Sequence, residues 1–136
     1  MNREEKRFTT FHKAMVNYVL WIFALGLIFI GARNLMYLFE DGVDPFVPIL
    51  IAQIVILACA ILLIKARFDL KKGNILGAKE ILIAGLLTAA AFFYDWRVWD
   101  VNGELLENSF LFPLIAACWG IGIYRYYKMN EDKLNG

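Results

Sequence analysis

A lone arginine, Arg33, interrupts a long apolar run, with Asn34 beside it and Tyr37 one helical turn further on. A guanidinium, an amide and a phenol at that spacing can grip an anion, because arginine offers paired N–H donors that match a phosphate or carboxylate. Counted from the middle of the run at a helical rise of ~1.5 Å per residue, Arg33 lies about 12 Å from the centre. A charge at that depth in a membrane snorkels outward, finds a carboxylate, or serves a ligand. The carboxylates at its level are Glu40, Asp95 and Asp100. Two readings follow: an anionic headgroup or substrate site built from Arg33, Asn34, Tyr37, Asp95 and Asp100, or a structural ion pair at the membrane edge. The ion pair is the simpler.

A second set of polar residues is Gln53, Lys79 and Glu80. A carboxylate inside a span is what a proton or cation path requires, but such a path also needs further polar stations, and only Gln53 and Thr88 are available. Neighbours on a helix diverge by about 100°, so Lys79 and Glu80 cannot face the same partner. Gln53 suits an interhelical hydrogen bond, since an amide left unpaired in hydrocarbon is costly. A third set is Ala116, Cys118, Gly120 and Gly122, two interleaved pairs of small residues four apart. Small residues let helices approach closely, so the four are a candidate helix-packing interface, within the chain or with a partner. Trp119 between them faces lipid, the core or a partner.

Other chemistries lack the necessary residues. The single histidine, His12, rules out a bis-histidine haem or a histidine-rich metal centre within one chain, so no metal site and no cofactor is expected. No glycine-rich phosphate loop and no serine-nucleophile motif is present. Asp95, Asp100, Glu104 and Glu107 could serve acid–base chemistry, yet read more simply as a solvated acidic loop; the chain is more readily a non-enzyme. Cys59 and Cys118 fall at similar depth on stretches that would lie diagonally in a sequential bundle, so both are expected as free thiols. No nucleic-acid partner is expected.

The elements that must position these residues are four apolar stretches in a 136-residue chain that is 60% hydrophobic. They cover about 14–39, 46–64, 75–94 and 108–127; a bilayer crossing needs ~20 residues, so the first is longer than required and must tilt or protrude. Charge alternates between the connections. Bases gather in the arm 1–13, between the second and third stretches (Lys65, Arg67, Lys71, Lys72) and after the fourth, whereas the connections 40–45 and 95–107 are acidic. Lys and Arg near span ends fix orientation, so both termini are expected in the cytoplasm. The fold expected is an all-α integral membrane protein, a single four-span domain over 1–136, arranged as an up-down-up-down helical bundle. No cleavable signal peptide is apparent. Phe8, Phe11 and Met15 recur at helical spacing among bases, as in an interfacial helix running into the first span. Gly73 is the turn residue between the second and third spans, and Lys65 ends the second.

Size, the thin polar path and the missing catalytic set point to a non-catalytic accessory or regulatory partner of another membrane component. The alternatives are a small oligomeric transporter or channel, and handling of lipid or lipid-linked substrate at the outer leaflet around Arg33. Partners would be the lipid bilayer and either another membrane protein or a second copy of the chain. A bacterial cytoplasmic membrane is the default location.

Overall fold

The computed structural model describes residues 3–41, 46–101 and 111–135, the side chains at 41, 95–101, 111–112 and 134–135 excepted. Among the described residues every regular element is helical: α1 (Arg3–Ala14), a π-helical turn (Met15–Val19), α2 (Leu20–Asp41), α3 (Phe46–Lys71), α4 (Leu76–Val101), α5 (Leu111–Met129) and the short α6 (Glu131–Asn135). Among the described residues three helices are long and apolar enough to cross a membrane: Arg3–Glu40, which joins α1, the π turn and α2, then Phe46–Lys71 and Leu76–Tyr94. The α5 helix is not one of these. Its last turns hold Tyr124, Arg125, Tyr126, Tyr127 and Lys128, which dilute an apolar first half.

Two helices run on past their expected ends. The α3 helix does not close at Lys65 but continues to Lys71, with Ala66 and Leu70 buried and an i,i+4 ion pair from Lys65 to Asp69 along the added turns. Similarly, α4 extends beyond Tyr94 to Val101. The α3–α4 turn is short, only 72–75, because adjacent residues close one helix and cap the next. Gly73 takes the left-handed conformation at φ 80°, its N–H bonding to Leu70 O and that of Asn74 to Asp69 O, the paired closure that a C-terminal glycine permits. Asn74 then caps α4, its Oδ1 accepting the Leu76 N–H at 3.0 Å.

Each long helix packs on the next in sequence, α2 on α3, α3 on α4 and α4 on α5. The α2 face that does so is Leu20, Ala24, Leu27, Gly31 and Leu38, all buried at alternating three- and four-residue spacing apart from the last step. In hydrocarbon no hydrophobic force drives helices together, so contact area and close approach must hold them. Small residues provide that approach. A Cβ on Gly31 would meet Leu57 at 2.9 Å, one on Gly77 would meet Ala66 O at 2.7 Å, and one on Gly85 would meet Gly120 Cα at 2.8 Å.

Candidate functional site

The richest polar chemistry gathers at the end of the molecule that carries α1, the α3–α4 turn and α6. On α3, Lys65 and Asp69 lie one turn apart; from α4, Glu80 comes across nearly two turns after the Asn74 cap. The Lys65 ammonium donates to Glu80 Oε1 at 2.7 Å and to Asp69 Oδ2 at 3.0 Å. Glu80 is 5% exposed, and its second oxygen, Oε2, is buried with no hydrogen-bond partner among the described residues. Lys79, its neighbour in sequence, is exposed, as the ~100° divergence requires.

Arg67, read from sequence only as one more base between two spans, is half-buried here. Its Nε donates to Val16 O at 2.7 Å, and its guanidinium lies 4.9 Å from the Trp21 ring centroid and 5.3 Å from that of Phe68. Val16 belongs to the π turn, where wider winding disturbs the regular backbone ladder and leaves a carbonyl for a side chain to reach. The cation is held by dipole and ring faces rather than by a carboxylate. Only the juxtaposition of α3 with the π turn creates this site; no sequence signal marks it.

The N-terminal arm also finds its partner inside the chain. Phe8, expected to lie on the membrane surface, is buried against Tyr126 and Tyr127, with ring centroids at 6.1 and 5.8 Å. Phe11 packs on Tyr126 with tilted rings 4.4 Å apart, and His12 Nδ1 is 2.9 Å from the Tyr127 hydroxyl. Tyr127 is fully buried, so it belongs to the core and not to an interfacial belt. Glu4 and Lys133 approach to 3.9 Å, linking α1 to α6.

At the opposite end, Asn34 Nδ2 donates to Gln53 Oε1 at 3.1 Å, across the α2–α3 contact. Asn34 is thereby turned away from Arg33, which shares the exposed face of α2 with Phe29, Met36 and Tyr37 and makes no ion pair with a described residue. The side chains of Asp95 and Asp100 lie outside the described ones, as do residues Glu104 and Glu107. Thr88, midway along α4, is buried beside the Cys59 thiol of α3.

The four small residues of α5 divide between two faces. Ala116 and Gly120 meet α4, where Gly85 faces both: a Cβ there would come to 3.0 Å from Ala116 O as well as touching Gly120. Cys118 and Gly122 point away from α4 and are exposed; a Cβ on Gly122 would meet nothing within 4 Å. Trp119 packs against Phe23 of α2, the tilted rings 4.6 Å apart. Cys59 is buried and Cys118 exposed, both as free thiols. No group of three or more potential metal ligands occurs among the described residues. No protein family, curated protein or solved structure matches the chain.

Proposed function

We propose that the chain is a four-span membrane protein, both termini cytoplasmic, that acts without catalysis as an accessory or regulatory partner of another membrane component. The orientation is supported by the sidedness of charge: Arg3, Lys6, Arg7, Lys71, Lys72 and Lys128 share one end, whereas Glu40 lies at the other. A bacterial cytoplasmic membrane suits so compact a chain. One observation carries the partner reading. The α5 helix spends one pair of its small residues on α4 and leaves the second pair, Cys118 and Gly122, as an open notch on the outward face. A small-xxx-small notch facing lipid accepts another helix at close range.

The exposed thiol makes the test direct. Because Cys59 is buried, a membrane-permeant thiol crosslinker applied to native membranes reports on Cys118. The expected result is one discrete adduct, lost in Gly122→Leu and kept in Gly122→Ala. An adduct pattern unchanged by Gly122→Leu would sink the proposed surface.

A second reading has one observation in its favour. Arg33 stands on a lipid-facing stripe without a described carboxylate, as an arginine engaged by a lipid phosphate would. Anionic lipid that co-purifies with the wild type and is lost in Arg33→Leu supports outer-leaflet lipid handling; equal lipid in both rejects it. The transporter alternative has no observation of that kind behind it.

A further inference from the structure

Among the described residues, the bases other than Arg67 are either exposed to water or held in an ion pair: Lys65 with Glu80 and Asp69, Lys128 with Glu131, Lys133 with Glu4. Arg67 is neither. It is half-buried, and no described carboxylate lies within ion-pair distance of it. Salt screens an exposed charge but a partly buried one much less, so this cation keeps a field that its own chain does not answer. A guanidinium is a planar fork of five N–H donors with no acceptor. Here Nε donates to Val16 O at 2.7 Å, and the ring faces of Trp21 and Phe68, 4.9 and 5.3 Å from Cζ, hold the group in place. The edge between the two terminal nitrogens has no acceptor among the described residues. That edge takes two oxygens of one phosphate side by side.

Depth points the same way. Arg67 stands three positions past Ile64, the last residue of the apolar run 46–64, which is about 4.5 Å further along the helix. A headgroup layer is roughly 5–7 Å deep, so the fork lies at the level of lipid phosphate. We propose that Arg67, aimed by the Val16 carbonyl and the Trp21 ring, is a binding site for a phosphate group of net negative charge. The inference does not rest on the partner reading, and it concerns the end of the molecule opposite Arg33. Lys71, one turn further along α3, is exposed on the same side of the helix and adds positive charge. Asp69, two residues on, turns to the other side and holds Lys65. A zwitterionic headgroup brings its own ammonium into this cationic field, whereas an anionic one does not. Two sources present such a phosphate here, an anionic phospholipid headgroup at the membrane surface and free phosphate in the adjoining water.

The test uses the full chain carrying Arg33→Leu, so that lipid held at the other end is not counted. It is placed in nanodiscs of phosphatidylglycerol and phosphatidylcholine in equal amounts, and retained lipid is counted by native mass spectrometry. A parallel arm compares thermal unfolding midpoints in inorganic phosphate and in chloride at equal ionic strength. Phosphatidylglycerol is expected to be retained over phosphatidylcholine by about tenfold, the worth of one charge-assisted hydrogen bond. Arg67→Gln should erase the preference. Arg67→Lys keeps the charge without the fork; it should lower the preference, and it guards against a glutamine variant that does not fold. Trp21→Leu, which removes the ring beneath the arginine, should lower it by about two- to fivefold. Lipid enrichment without an Arg67-dependent midpoint shift assigns the headgroup; an Arg67-dependent shift without enrichment assigns free phosphate. Equal retention of the two lipids together with a phosphate shift indifferent to Arg67 overturns the proposal, as does a lipid preference unchanged in both Arg67 variants.

Discussion

The α5 helix meets its two neighbours in different ways. Toward α4 the contact is backbone on backbone: a Cβ on Gly120 would lie 3.0 Å from Gly85 Cα, and one on Gly85 2.8 Å from Gly120 Cα. Toward the first helix it is ring on ring, with Phe23 and Trp119 at 4.6 Å and Phe11 and Tyr126 at 4.4 Å. A backbone contact has no slack, because neither chain retreats without shifting a whole helix. A ring contact can be remade by a change of rotamer. The first seam therefore fixes where α5 sits, and the second holds the arm and α2 beside it with some tolerance. The third face of α5, with Cys118 and Gly122, is exposed and meets no other helix among the described residues, which is why it is the surface proposed for a partner.

Gly120→Leu should separate the two seams most sharply. Four carbons forced into the Gly85 contact cost about 3 kcal/mol, the upper part of the range for overpacking, read as a lower midpoint in thermal unfolding in detergent. Trp119→Ala should cost about 1–2 kcal/mol because the ring is only half-buried. A double-mutant cycle with Phe23→Ala should return a coupling of about 0.5–1.5 kcal/mol, as expected for an aromatic pair. Tyr127→Phe removes the hydroxyl that meets His12 and should cost about 1 kcal/mol, with faster proteolysis within residues 3–14 as the second readout. Gly122→Leu should leave stability within about 0.5 kcal/mol, since its side chain enters open space. A Gly122→Leu protein as unstable as Gly120→Leu would erase the distinction between the faces.

Two arginines show how far the sequence reaches. Arg33 is conspicuous because it stands alone in an apolar run, and the structure leaves it on the exposed face of α2. Arg67 sits among other bases and invites no comment, yet it is half-buried between Trp21 and the Val16 carbonyl, contacts made across more than forty residues of chain. Isolation in a sequence measures local contrast. It carries no information about which distant backbone will come near. Asn34 and Gln53 make the same point, since either amide needs a partner but only the packing of α2 on α3 names the other. The small residues of α5 are legible as a pattern, while the division into an inward and an outward pair depends on which side α4 occupies.

What the sequence determined by itself is what local physics decides. Apolar length sets which segments are helices fit to cross a membrane, and Gly73 followed by Asn74 closes one helix and opens the next, because left-handed backbone and side-chain capping are properties of a few adjacent residues. Tertiary structure alone decided the Lys65–Glu80 ion pair, the arginine held by the π turn and the burial of the arm against Tyr127. Each of these needs groups far apart in the chain to meet within about 3–6 Å, a distance set by how closely the helices pack and at what relative height. The pattern of residue types along one helix leaves that height open; the glycines that let α4 and α5 touch are what fix it.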